Sequence, residues 1–329
     1  MRAFVLLLFA LTPLWGCGEV SHLLAETEAK RPESSARAIN VVATDLSPIA
    51  ADSRAARLLA ELTDASTDKV FVVAHRGDWH AAPENSLAAI QSCIDLGVDM
   101  VEIDVRITLD GHYVLLHDKT LERSTNGVGK ISHLTLEQIQ TLRFKDANGA
   151  LTDHKIATLE AGLQLARGKI LLYLDKSEYD IPAVYAIVKA YGMEDYVFFY
   201  GSRTAVELKS HCGDDFEEIR YLPKLDGATP QAKEYVESFS TQKKPLAFVT
   251  SFDREDSPVL SQFDSIRARG VRIWASPLWD ELCAGHTDER ALQDPDGNWG
   301  WLLDRGATLL CTDQPAKLLD YLRSKNRHD

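Results

Sequence analysis

Residues 70–105 read VFVVAHRGDWHAAPENSLAAIQSCIDLGVDMVEIDV. The stretch holds an apolar run (Val70–Ala74), a polar loop, a stretch with helical spacing (Ser86–Leu96) and a second apolar run (Met100–Val105). The same unit recurs. Further strand-like runs are Ile170–Leu174, Tyr196–Tyr200, Ile219–Leu222, Ala247–Thr250, Val271–Ala275 and Thr308–Cys311. Helical patterns separate most of them, at Ile181–Tyr191, Arg203–Cys212, Ala232–Phe239, Val259–Arg269 and Pro315–Arg323. Short apolar strands alternating with helices imply a parallel sheet. Eight such units closing on themselves give an α/β fold of the TIM (β/α)8 barrel type. A doubly wound open sheet is the alternative, although the chain carries neither a GxGxxG fingerprint nor a P-loop.

One interruption follows the second strand. Asp110-Gly111 sits between two apolar runs, which signals a β-hairpin extension. Pairing Leu109 with His112 would place Asp104 directly across from His117, with both side chains on one face.

The bulk numbers narrow the partners. Acidic residues outnumber basic ones 49 to 36, which argues against nucleic acid, whose phosphates need clustered Lys and Arg. The first residues read as a targeting segment. Met1-Arg2 is a basic start, Ala3–Leu14 is apolar but too short to span a bilayer, and Gly16-Cys17 closes it. This resembles the lipobox of bacterial lipoproteins, in which the cysteine becomes a lipidated N-terminus; an ordinary secretory signal is the alternative. Residues 1–17 are thus expected to be a signal, 18–64 a polar tether (to about 44) and then an N-terminal amphipathic helix over 47–63, and 65–329 the barrel domain. The protein is expected to be exported to the bacterial cell envelope and held at the membrane through Cys17. Cys93, Cys212, Cys283 and Cys311 match no zinc spacing and read mostly as free, buried thiols.

Five motifs fall at or just beyond strand ends: His75-Arg76-Gly77, Pro83-Glu84-Asn85, Glu102-Ile103-Asp104, His117-Asp118 and Asp175-Lys176. Glu102 and Asp104 are two apart on one strand, so they share a face. With Asp175 at the end of the next barrel strand, they form a plausible oxygen cage for one divalent cation, Ca²⁺ or Mg²⁺. Two histidines and two cations complete a set able to neutralise a phosphate and move protons on both sides of a P–O bond.

The stretches Ala74-His75-Arg76-Gly77, Pro83-Glu84-Asn85-Ser86, Val101–Val105 and Leu116-His117-Asp118 resemble the glycerophosphodiester phosphodiesterase family. Thr158-Leu159-Glu160, Ile273-Trp274 and Thr312-Asp313-Gln314-Pro315 agree with it. The resemblance implies a TIM barrel that cleaves glycerophosphodiesters to glycerol 3-phosphate and an alcohol. It implies that His75 and His117 are the acid–base pair and that Glu102, Asp104 and Asp175 hold the metal. Arg76, Glu84, Asn85, Lys176 and Trp274 would face the small-molecule substrate. It also implies attack by a substrate hydroxyl to give a cyclic phosphate that water then opens. Asp175-Lys176 departs from the Glu-x-Lys of many relatives, which leaves the lysine's direction open. Alternatives are a phospholipase of the same barrel superfamily, sphingomyelinase D-like or phosphatidylinositol-specific phospholipase C-like, and a non-catalytic phosphodiester-binding lipoprotein. The long loop from Ser276 to about Asn298 suggests a lid or specificity element carrying Trp279, His286 and Asp288. Trp299 and Trp301 read as packing for a short helix.

Overall fold

Along each barrel strand the side chains alternate between two apolar environments, and this alternation accounts for the continuous apolar runs in the sequence. Phe71, Val73, Met100, Leu171, Tyr173, Phe198, Trp274, Leu309 and Cys311 pack together in the barrel interior. Val70, Val72, Val101, Ile103, Leu172 and Leu174 pack outward against helices. The computed structural model describes residues 46–64 and 66–329. The expected signal segment, Cys17 and the polar part of the tether lie outside them.

In chain order the elements are α1 (Arg54–Thr63), β1 (Phe71–Ala74), α2 (Leu87–Leu96), β2 (Met100–Ile107), β3 (Tyr113–Leu115), α3 (Leu136–Ile139), α4 (Leu159–Ala166) and β4 (Leu171–Asp175). There follow α5 (Ile181–Ala190), β5 (Val197–Gly201), α6 (Ala205–Cys212), β6 (Arg220–Leu225), α7 (Ala232–Gln242), β7 (Ala247–Thr250), α8 (Phe263–Ala268) and β8 (Arg272–Ala275). The chain ends through α9 (Asp288–Ala291), α10 (Trp301–Asp304), β9 (Leu309–Thr312) and α11 (Pro315–Ser324). Every strand but β3 is parallel to its neighbours, and β1 pairs with both β2 and β9, so the eight-stranded barrel closes. Ser86 caps α2 by accepting from the Ala89 N–H, and Thr158 and Thr204 cap α4 and α6 in the same way.

The hairpin differs from its expected register by one residue. Val105 pairs with Leu115 and Ile107 with Tyr113, so Asp104 stands opposite Leu116, not His117. The turn is longer than two residues. The Thr108 N–H donates to His112 O, the Gly111 N–H donates to Thr108 O, and Gly111 takes a positive φ of 87°. A three-residue loop ending in a left-handed glycine replaces the two-residue Asp-Gly turn. His117 still reaches the barrel mouth, because the chain leaves β3 and Arg106 donates two hydrogen bonds to His117 O, at 2.8 and 2.5 Å.

The helix expected over 47–63 starts later, at Arg54, where Ser53 accepts from the Ala56 N–H. It packs on the barrel. Leu58 and Leu62 enter the interior cluster with Phe71 and Leu171 and close the barrel floor. Each contributes roughly 1.5–3 kcal/mol by leaving water. Polar groups fasten the plug. Arg54 donates to the carbonyls of Lys169, Gly97 and Val98, and Arg272, at the start of β8, donates to those of Glu61, Leu62 and Asp64.

Beside the plug, fully buried Asp99 gathers three partners. It accepts from the Val72 N–H at 2.8 Å, lies 3.2 Å from Lys69 Nζ and bonds His328 Nε2 at 2.9 Å. Burial alone would lower the His328 pKa, but the bond and charge of Asp99 raise it above its ordinary value. That contribution is complete below the ordinary histidine pKa and is lost as pH rises through the raised one. His328→Gln should therefore lower the melting temperature more at pH 6 than at pH 9. Equal losses at both would rule out the ion pair as the cause.

Candidate active site

The alternation that fills the barrel also builds its mouth. Reading upward along inward positions gives Met100, Glu102, Asp104 on β2 and Leu171, Tyr173, Asp175 on β4. On β1 the series is Phe71, Val73 and then His75; on β9 it is Leu309, Cys311 and then Asp313. Apolar side chains give way to polar ones at the C-terminal end, where the active sites of such barrels lie.

Glu102, Asp104 and Asp175 offer ligand oxygens all within 4.8 Å of one another. Parallel pairing in register makes this inevitable, since Asp104 is the direct partner of Asp175 and Glu102 of Tyr173. Glu102 and Asp104 are buried. Burial, and then the charges of Asp104 and Asp175, push the Glu102 carboxyl well above its usual range. Among the described residues, Asp104 Oδ1 makes no hydrogen bond and has Lys176 Nζ at 4.0 Å. A crowded set of oxygen donors with one lone acceptor fits a hard divalent cation.

Three non-glycine residues at this mouth adopt the left-handed backbone region: Arg76 (φ 58°), Asn85 (φ 59°) and Lys176 (φ 60°). Such conformations are uncommon and concentrate where surrounding structure enforces them. Each has a visible use. The turn at Arg76 aims its N–H at Glu102 Oε2, 2.7 Å away. Strand alternation would send Lys176 to the face opposite Asp175. The left-handed turn brings it back, and its ammonium lies 2.6 Å from Asp175 Oδ2. This settles the lysine's direction, which the adjacent Asp175-Lys176 left open. Asn85, completely buried, donates to Asp104 Oδ2 and accepts from the Asp104 N–H, both at 2.8 Å.

Both histidines are held in the same way. His75 Nδ1 bonds Asp313 Oδ1 at 2.8 Å, and His117 Nδ1 bonds Asp118 Oδ1 at 2.6 Å. A carboxylate only accepts, so Nδ1 carries the proton in each ring and Nε2 is left for chemistry. The Trp79 indole donates to the same Asp313 oxygen at 2.7 Å. Burial raises Asp118, but hydrogen bonds from Arg123 and His117 outweigh it and hold the carboxyl down at about 2. Arg123 donates to Asp118 at 2.6 Å and to both oxygens of Glu84 at 2.6 and 2.8 Å.

Both imidazoles meet one cleft with Glu102 and Asp175 of the acidic trio. Its inner lobe, about 270 Å³, is lined by Glu102, His117, Asp175, Lys176 and Tyr200 among others. Its outer lobe, about 450 Å³, is lined by Trp79, Glu84, Arg123 and Lys145. His75, Arg76 and Trp279 border both lobes.

Three expected substrate contacts have other duties. Glu84 pairs with Arg123 and, at 3.3 Å, with Arg76, so it aligns guanidinium groups. Asn85 is spent on Asp104 and cannot reach substrate. Trp274 is 1% exposed, packs its ring 4.7 Å from that of Tyr173 and donates to Ser276, so it forms the cleft floor. In the long loop, Trp279 rather than Trp299 reaches the cleft, and Trp299 is buried. His286 stacks on Trp301 at 3.8 Å, away from any acidic cage. Cys93, Cys212, Cys283 and Cys311 are free and buried. Sequence reasoning gave no role to Asp313, Asp118 or Arg123. The signal for Asp313 was available, because it continues the inward series Leu309, Cys311; Arg123 stood within the stretch Arg123-Ser124-Thr125-Asn126-Gly127 that supports the family resemblance, without a role of its own.

Comparison with known proteins agrees with this geometry. Residues 75–197 match the model of the glycerophosphoryl diester phosphodiesterase family, and residues 221–322 match a domain of unknown function. A glycerophosphodiester phosphodiesterase of Caldanaerobacter subterraneus is 49% identical over 74 residues, 22% of this chain and 30% of that protein. Human glycerophosphodiester phosphodiesterase 1 is 40% identical over 129 residues, 38% of this chain and 39% of that protein. The chain therefore spans about a third of the length of the curated relatives it matches. Among solved structures, a glycerophosphoryl diester phosphodiesterase of Parabacteroides distasonis superposes with a TM-score of 0.66 at 24% identity, covering 81% of this chain and 92% of that one. An Oleispira antarctica phosphodiesterase in complex with the product sn-glycerol-3-phosphate gives 0.58 at 22% identity, covering 77% and 96%. These two carry the fold, a TIM barrel. Residues 75–197, which hold the acidic trio, both histidines and Arg76, are the part of the chain that is similar to the glycerophosphoryl diester phosphodiesterase family.

Proposed function

We propose that this protein hydrolyses glycerophosphodiesters to glycerol 3-phosphate and an alcohol, using one divalent cation at Glu102, Asp104 and Asp175. The observation that carries the reading is the pair of imidazoles, each fixed through Nδ1 by its own aspartate and each bordering the cleft that Glu102 and Asp175 of the acidic trio line. A non-catalytic binder has no need of two such dyads.

The oxygen-only donor set suits Ca²⁺ or Mg²⁺. When bound, the ion supplies positive charge against the phosphate oxygens and Lewis-acid polarisation. The remaining work falls to the protein. Arg76 Nε is buried without a hydrogen bond, 3.8 Å from Asp104 Oδ2, and with Lys176 it offers charge to a non-bridging oxygen. In the first step a substrate hydroxyl beside the phosphoester forms a new P–O bond as the bond to the alcohol breaks. One imidazole accepts the hydroxyl proton at Nε2, and the other donates a proton to the departing alcohol oxygen. Water then opens the cyclic phosphate with the two roles exchanged.

We also infer, from residues 1–17 alone, that the protein is exported to the bacterial envelope and anchored through a lipid on Cys17. Cys17→Ser should then move the protein from the membrane to the soluble fraction of cells that express it. An unchanged membrane fraction would count against the anchor.

Purified protein offered glycerophosphocholine should release glycerol 3-phosphate. Chelator should abolish the release, and added Ca²⁺ or Mg²⁺ should restore it. Asp104→Asn should raise the metal concentration needed for half-maximal rate; an unaltered requirement would remove Asp104 from the metal site. His75→Ala and His117→Ala should each lower kcat by about 10²–10⁴-fold, the usual scale of general acid–base catalysis, with an unchanged circular dichroism spectrum. Near-normal rates in either variant would defeat the proposed proton transfers, and cleavage of intact phospholipid alone would favour a phospholipase.

A further inference from the structure

Behind His75 and Asp313 lies a third group that the proposed chemistry does not use. Asp288 sits in the long loop after β8, is 4% exposed and carries a carboxylate surrounded by donors. One oxygen accepts from the Trp299 indole at 2.8 Å; the other accepts from the backbone N–H of Asp313 at 2.7 Å. The Thr312 hydroxyl bonds it as well. Its own N–H donates to Pro277 O, which ties the middle of the loop to its start. A buried carboxylate is costly and is retained where every lone pair has a use. Here the uses are specific. Two of the three donors, Thr312 and Asp313, belong to the end of β9, and Asp313 is the residue that holds His75.

We propose that Asp288 is a positioning residue for catalysis, fixing the backbone of Asp313 so that its carboxylate holds His75 in register with the cleft. The line of contacts is short: the Asp288 carboxylate, the Asp313 N–H, the Asp313 carboxylate, then His75 Nδ1. The same loop presents Trp279 at the cleft, with its ring centroid 6.1 Å from that of His75. The loop therefore meets the imidazole from two sides, once through a ring edge and once through the Asp288–Asp313 bond. Asparagine at 288 keeps the volume but turns one acceptor into a donor. That leaves either the Trp299 or the Asp313 N–H facing an amide N–H.

This inference rests on His75 acting in the proposed hydrolysis, and the test separates the two. Full-length protein would be assayed on glycerophosphocholine as wild type, Asp288→Asn, His75→Ala and the double variant, with Trp299→Phe as a control that removes only the indole donor. Asp288→Asn should lower kcat by about 10- to 100-fold, the scale reached by disturbing an outer-shell partner or misplacing a catalytic group, with KM within about twofold. In the His75→Ala background the same substitution should change the residual kcat little, because the group it positions is gone. Trp299→Phe should cost thermal stability with a much smaller loss of kcat. The inference is overturned if Asp288→Asn lowers kcat equally in both backgrounds, or if Trp299→Phe matches its kcat loss. A normal Asp288→Asn beside an inactive His75→Ala sinks this inference alone. A normal His75→Ala sinks the hydrolytic reading of His75 first.

Discussion

Three carboxylates forced together at the end of a closed barrel set the terms for the rest of this site. Glu102, Asp104 and Asp175 cannot move apart, because parallel pairing fixes β2 against β4 and the strands are packed on both faces. Like charges so close in a poorly solvated place repel strongly, and burial with the two neighbouring charges makes Glu102 harder to ionise. The structure answers with directed donors. The Arg76 N–H serves Glu102, the Asn85 amide serves Asp104, and the Lys176 ammonium serves Asp175. Each of these three residues adopts a left-handed backbone conformation. The strain is thus distributed over the residues that compensate the trio, and the charge still uncompensated is the attraction for a cation.

The second organising feature is repetition of one dyad. His75 and His117 come from different places, one at the end of a barrel strand and one beyond a hairpin. Both are nonetheless fixed at Nδ1 by an aspartate. The two aspartates are supported differently. Asp118 is held by Arg123, which also grips Glu84 and through it Arg76, so one ion network spans the outer lobe. Asp313 is held by the Trp79 indole and, through its backbone, by Asp288. The first support is charged and half-exposed; the second is buried. Exposed ion pairs of this kind contribute little to stability, so the Arg123 network matters for alignment more than for folding.

The division of the chain between two family models follows this architecture. Residues 75–197 carry the trio, both histidines and Arg76. Residues 221–322 complete the barrel and bring Trp274, Trp279 and Asp313 to the cleft, with Asp288 behind Asp313. Sites at this face of a barrel are open to change through their loops while the strands stay fixed. The loop after β8 is the clearest case here, since Leu278, Trp279 and Leu282 line the cleft and Asp288 secures the residue that follows β9.

Much of this was legible in the residues. Eight apolar runs gave eight barrel strands, with end points shifted by a residue or a few, because strand length depends on pairing partners as well as composition. The period of two along a strand put Glu102 beside Asp104, and an oxygen-rich trio followed. The hairpin register did not follow, because Asp-Gly is compatible with both a two-residue and a three-residue turn, and packing around Thr108 and Gly111 selected the longer one. The apolar face of the helix ending at Thr63 was legible, but its place under the barrel was not, because amphipathicity reveals an apolar face and not what covers it. The bonds of Asn85 to Asp104, of Asp288 to Asp313 and of Arg123 to both Glu84 and Asp118 join residues 5 to 39 positions apart. Sequence by itself determined which groups of this protein carry charge, protons and apolar surface, since those are properties of each residue and its near neighbours. Only the folded barrel decided which of them touch substrate and which serve one another, since that depends on distances created by closing the sheet.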